Sequence, residues 1–71
     1  MSLVERLRPH VEEIKVHKPV SELSGTERRL NQMTAIILNP KFSRTVKDKM
    51  LRDIVDEARV EKALKARGVK L

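Results

Sequence analysis

The sequence holds no cysteine, no tryptophan and no tyrosine, and a single phenylalanine, Phe42, among its 71 residues. Without cysteine there is no disulfide or thiolate zinc site to brace so short a chain, and no thiol nucleophile. With two glycines and no glycine-rich loop, a phosphate cradle built from backbone amides is excluded. The scarcity of aromatic rings disfavours two further classes. Single-strand nucleic-acid readers stack bases on such rings, and helices that lie on membranes anchor themselves with them. The longest apolar run, Ala35–Leu38, falls far short of the roughly 20 residues that a membrane span requires. The first residues alternate charged and apolar side chains, so no signal peptide is expected. A cytoplasmic location and no membrane partner are the corresponding expectations.

What the chain has in quantity is charge. Sixteen Lys and Arg stand against ten Asp and Glu, a net charge of +6. A basic balance favours polyanionic partners, either nucleic acid or an acidic protein. The hydrophobic share of 39% supplies one core and is too high for a disordered chain. A single domain over residues 1–71 is expected. A domain this small buries only about 60% of its unfolded surface, so dense helix packing, a second copy of the chain, or both are needed.

The apolar spacing is helical throughout and predicts an all-α fold of three helices, near residues 3–15, 25–38 and 44–67. In the first, Leu3, Val4, Leu7, Val11 and Ile14 share a face. Ser2 with Glu5 fits a capping box, and Pro9 removes a backbone bond and bends the axis. Val16–Ser24 is a connector from which Val20 and Leu23 turn toward the core. The second helix is capped by Ser24 with Glu27. It presents Leu30, Met33, Ile36 and Ile37, turns Arg28, Asn31, Gln32 and Ala35 away, and stops at Asn39-Pro40. The third opens near Ser43 or Thr45. It carries a broad arc of Val46, Met50, Leu51, Ile54, Val55 and Ala58, with Leu64 further on, and ends at Gly68 as the C′ residue. A helix of some 24 residues would be about 36 Å long, more than a compact domain of this size accommodates. It therefore either breaks near Glu57–Val60 or projects onto another chain, and the width of its arc points to a homodimer.

Chemistry at a catalytic centre is not indicated. Ser2, Ser24, Ser43, Thr26 and Thr45 fall where helix caps are expected. His10 and His17, about 10.5 Å apart along a helix axis, cannot share a metal. The adjacent carboxylates Glu12-Glu13 and Asp56-Glu57 diverge rather than converge on a substrate. No enzyme activity, metal or cofactor is expected.

The basic residues gather in two clusters. Lys41, Arg44, Lys47, Lys49 and Arg52 surround Asp48 alone. Arg59 and Lys62, followed by Lys65, Arg67 and Lys70, accompany Glu61. Lys41 and Arg44 stand at a helix N-terminus, whose free N–H groups and dipole suit phosphate. Lys49 and Arg52 project from the polar side. Lys47 lies inside the apolar arc and snorkels. The pairs Asp48–Arg52, Lys49–Asp53, Arg52–Asp56 and Glu61–Lys65, four residues apart, read equally as support for an exposed helix. Candidate nucleic-acid contacts are thus Lys41, Arg44, Lys47, Lys49, Arg52, Arg59 and Lys62.

Two short resemblances bear on the mode of binding. Leu23–Glu27 and Arg44–Lys47 resemble the ends of a LuxR-type helix-turn-helix, but the interval between them is too short for the helix which that family places there. Ile14–Lys18, Gly25–Leu38 and Arg44–Ala58 resemble the ribbon and two helices of a ribbon-helix-helix dimer. That likeness implies Lys15, His17 and Lys18 as readers in a major groove, while Val20–Ser24 and the N-terminal helix depart from the pattern. Contact with the backbone of a duplex or structured nucleic acid, as an accessory or regulatory factor, is the leading expectation. A helical assembly or adaptor module, self-associating or docking an acidic protein, is the alternative.

Overall fold

Ser2 opens the first helix, its Oγ accepting the amide of Glu5 at 3.2 Å. The computed structural model describes residues 2–71. From this cap, α1 (Leu3–Leu7) passes into a 3-10 turn at Arg8–His10 that holds Pro9, and then into α2 (Val11–Ile14). Pro9 has no N–H to donate, so the α-helical ladder tightens there rather than continuing. Val4, Leu7, Val11 and Ile14 are buried on one face, as their spacing requires. The capping box is only half formed, because the Glu5 carboxylate reaches Arg44 instead.

After Ile14 the backbone is extended at Lys15 and Val16 is buried, but no strand forms among the described residues. Asn31 explains this. Its Oδ1 accepts the amide of Val16 at 2.8 Å and its Nδ2 donates to the Val16 carbonyl at 3.2 Å. One side chain thus takes both hydrogen bonds that a partner strand would offer. The ribbon-helix-helix likeness fails here, and Asn31, expected to face away, faces this segment. Val20 is a second correction. A 3-10 turn at Val20–Glu22 aims it at solvent, 75% exposed, while Leu23 packs against the core.

Helix α3 (Gly25–Leu38) starts with a complete capping box between Ser24 and Glu27, and its C-cap, Asn39, is extended ahead of Pro40. Leu30, Met33, Ile36 and Ile37 are its buried face. The following turn is pinned by the Lys41 amide, which donates to Asn39 Oδ1 at 2.8 Å. Ser43, rather than Thr45, then caps the next helix, accepting the amide of Val46.

Of the two alternatives for residues 44–67, the broken helix is the one found, as α4 (Arg44–Val55) and α5 (Ala58–Ala66). No proline or glycine interrupts it. The break lies at Glu57, whose ψ of 124° is extended, and it has a packing cause. Val60 is nine residues after Leu51, about two and a half turns, so a continuous helix would put them on opposite faces. With the chain turned at Asp56-Glu57, Val60, Leu64 and Leu51 are all fully buried. Glu57 holds the corner by bridging Arg29 at 3.3 Å and Arg59 at 3.4 Å. The end of α5 is a Schellman motif around Gly68, at φ 76°. Val69 donates to the Leu64 carbonyl and Gly68 to that of Lys65, both at 3.0 Å, and Val69 is buried as the motif's hydrophobic closure.

The middle of the apolar arc of α4, Leu51, Ile54 and Val55, is buried in a bundle with α1, α3 and α5 of the same chain, while Val46 and Ala58 at its ends are exposed. The radius of gyration of 11.3 Å matches the roughly 11 Å of a compact chain this long, so no helix projects. No helix among the described residues is long and apolar enough to cross a membrane.

Two adjacent residues of α4 tie the bundle together. Lys47 is buried, and its Nζ donates to the carbonyl of Ile37 in the last turn of α3 at 2.8 Å. Asp48 Oδ1 accepts the amide of Val4 in the first turn of α1 at 3.0 Å. Asp48→Ala is expected to lower stability by about 1–2 kcal/mol, read as a fall in Tm of roughly 4–8 °C per kcal/mol. Asp48→Asn, which keeps an acceptor, should lose visibly less. Equal losses for the two variants would show that the Val4 contact contributes nothing.

Glu27 sets an acid limit. The Ser24 amide first, and the Lys18 ammonium at 2.9 Å second, pull its carboxyl down from an ordinary 4.5 to about 2. Because the folded value is the lower one, the stabilisation is complete above pH 4.5 and is lost as pH falls toward 2. Denaturation followed across that window should show a steeper acid loss for the parent chain than for Glu27→Gln. Superimposable profiles would remove Glu27 as the cause.

Candidate nucleic-acid interface

The cationic residues of α4 owe their positions to the packing of α1 along that helix. Arg44, the first residue of α4, is held by Glu5 of α1, Nη1 to Oε1 at 2.9 Å. Arg8 stands in the same groove, which Phe42, Pro9 and Val4 line with apolar surface. Further along the seam Arg6 of α1 and Arg52 of α4 line a second groove, together with Asp48 and Asp56. Arginines from both helices therefore flank one seam. Lys41 precedes it in the exposed turn, and Lys49 is exposed on α4. Among the described residues Lys41, Lys49, Arg52, Arg6 and Arg8 form no ion pair.

Of the four expected pairs along the C-terminal stretch, only Glu61–Lys65 forms, at 3.2 Å. Asp48 faces the N-terminus of α1, where the dipole and the Val4 amide receive its charge. That leaves Arg52 and Lys49 without an ion pair, with Asp56 near Arg52 in the groove and Asp53 exposed on the same helix. The opposite correction applies to Lys47. Its ammonium is bonded to the Ile37 carbonyl, and its side chain, largely buried, lines the floor of the groove that holds Phe42 and Arg44.

Arg59 and Lys62 are elsewhere. Arg59 bridges Glu57 and its guanidinium lies over Gly25, where a Cβ would stand only 3.2 Å from Nη1. Gly25 begins α3, and Lys41 follows its end. The fourteen helical residues of α3 place Arg59 about 21 Å from Lys41, with Arg52, in the last turn of α4, between them in the chain. Lys62 is exposed on α5.

Arg6 and Arg8 escaped the sequence reading because their neighbours on the surface lie some forty residues away in the chain. Only the tertiary contact of α1 with α4 makes them members of the cluster. Comparison of the chain with protein-family models, curated proteins and solved structures gave no match. The reading of the seam rests on its geometry.

Proposed function

We propose that this chain is a small non-enzymatic factor, acting in the cytoplasm, that contacts the backbone of a duplex or structured nucleic acid along the α1/α4 seam. The observation that carries the reading is the placement of arginines on both walls of that seam, Arg8 with Arg44 and Arg6 with Arg52. Guanidinium groups match phosphate bidentately, and two rows from two helices fix an orientation that one row does not. Two of the carboxylates along the seam are engaged, Glu5 with Arg44 and Asp48 with the Val4 amide, and Asp56 lies at its far end beside Arg52. Lys41 and Lys49 extend the contact, while Arg59 and Lys62 form a separate, weaker patch.

Association as a homodimer and an adaptor role were expected from the apolar surplus of α4. Much of that surplus is buried within the chain, Val46 and Ala58 excepted, and the arginines of the seam favour backbone contact. Sedimentation at micromolar concentration measures the oligomeric state directly.

Binding to labelled duplex DNA and hairpin RNA should weaken linearly in log affinity against log salt. Lys49→Glu with Arg52→Glu should cut affinity at least tenfold and reduce the slope on DNA by about 0.9 for each phosphate contact removed. Arg59→Glu with Lys62→Glu should change both far less. Lys47→Met should lower Tm and leave the slope unchanged. Absence of binding at low salt would overturn the reading, and a dominant effect of the Arg59 and Lys62 variant would move the site to α5.

A further inference from the structure

Phe42 is the one aromatic side chain of the protein, and the core does not use it. It is half-buried, and it belongs neither to the buried cluster nor to the partly buried side chains packed on that cluster, which are Leu3, Leu23, Met50 and Ala63. It lines instead the groove between α1 and α4, together with Pro9, Arg8, Arg44 and the stem of Lys47. The groove encloses about 500 Å³, within the roughly 300–1,000 Å³ of sites that take small molecules.

Contact with a phosphate backbone alone calls for cations and gives a ring nothing to do. In a duplex, each base shows its face only to its neighbours in the stack. An unpaired base exposes that face, stacks on an aromatic side chain, and brings a phosphate that needs a cation within a few ångströms. The groove offers both at once: an apolar wall of Phe42 and Pro9, and guanidinium groups at its rim. Glu5 also lines it, but Arg44 holds that carboxylate at 2.9 Å through Nη1, and a guanidinium has further donors for a phosphate.

We infer that the α1/α4 groove receives one unpaired nucleotide, its base against Phe42 and Pro9 and its phosphate between Arg8 and Arg44. Such a nucleotide is supplied by a bulge or an extruded base in the nucleic acid whose backbone the seam contacts, and the inference rests on that reading. A single ring cannot line a channel for a continuous single strand, and it suffices for one nucleotide.

The test compares a fully paired hairpin with the same hairpin carrying one bulged nucleotide, each titrated with the full chain. The bulged form should bind about five- to hundredfold more tightly, the range that one stacked base contributes. Phe42→Ala should remove this preference while retaining affinity for the paired hairpin. Phe42→Leu, which keeps apolar bulk without a ring face, should do the same, and a melting curve for each variant confirms that it folds. Equal binding of the two hairpins, or a preference that persists in Phe42→Leu, overturns the inference and leaves the backbone reading standing. Failure of both hairpins to bind at low salt overturns both. A labelled acidic peptide containing phenylalanine is titrated in parallel. Its binding to the groove, with no nucleic acid bound, overturns both in favour of a protein partner.

Discussion

The fold turns on two neighbouring charges of opposite sign. Lys47 and Asp48 diverge by about 100° around α4, and each reaches a different helix. The ammonium meets a carbonyl at the C-terminal end of α3, and the carboxylate meets an amide at the N-terminal end of α1. Both choices have the sign that the helix dipole favours, and both satisfy backbone groups that a helix leaves without partners. A core of aliphatic side chains is permissive about register. These two contacts are directional, and they fix how α1 and α3 sit against α4. A small bundle with no disulfide gains its definition from such polar fasteners.

The same arrangement decides where charge appears at the surface. Asp48, the one acidic residue within the first basic cluster, is turned to α1, and Lys47, one of its cations, is turned to α3. The pair leaves the solvent face together, so net charge there is unchanged while its pattern is simplified. Lys49 and Arg52 form no ion pair with Asp53 or Asp56 beside them, and the α1 segment, placed by Asp48, adds Arg6 and Arg8 alongside. The corner at Glu57 acts similarly at the other end of α3. It gathers Arg29 and Arg59 around one carboxylate, which neutralises part of the second cluster and makes it the weaker of the two.

Local signals in the sequence were legible where one residue type answers one backbone need. The capping box at Ser24 and Glu27, the stop before Pro40, the bend at Pro9 and the left-handed Gly68 are of this kind. The apolar positions of α1, α2 and α3 were legible for the same reason, because periodicity reports a face. The misreadings have a common physical origin. Asn31, Val20 and Lys47 take their orientation from segments distant in sequence, and a helical wheel does not say which polar residue is opposite a backbone that lacks partners. The break at Glu57 left no proline or glycine to see, and the length of the helix alone suggested it, as one of two alternatives. Its cause is the mismatch between Leu51 and Val60, which half a turn separates on a continuous helix.

Phe42 belongs to the same argument. In a chain with many rings, one left outside the core is unremarked surface, since apolar atoms form more than half of any protein's exterior. Here the core is closed by aliphatic residues alone, from Leu7 and Ile14 to Val60 and Val69. The turn that carries Phe42 is pinned by Asn39 on one side and by the Ser43 cap on the other, so the ring is presented by ordered backbone. The groove around it exists because Asp48 draws α1 against α4. The polar fastening that defines the fold and the apolar wall between two arginines are thus consequences of one packing event.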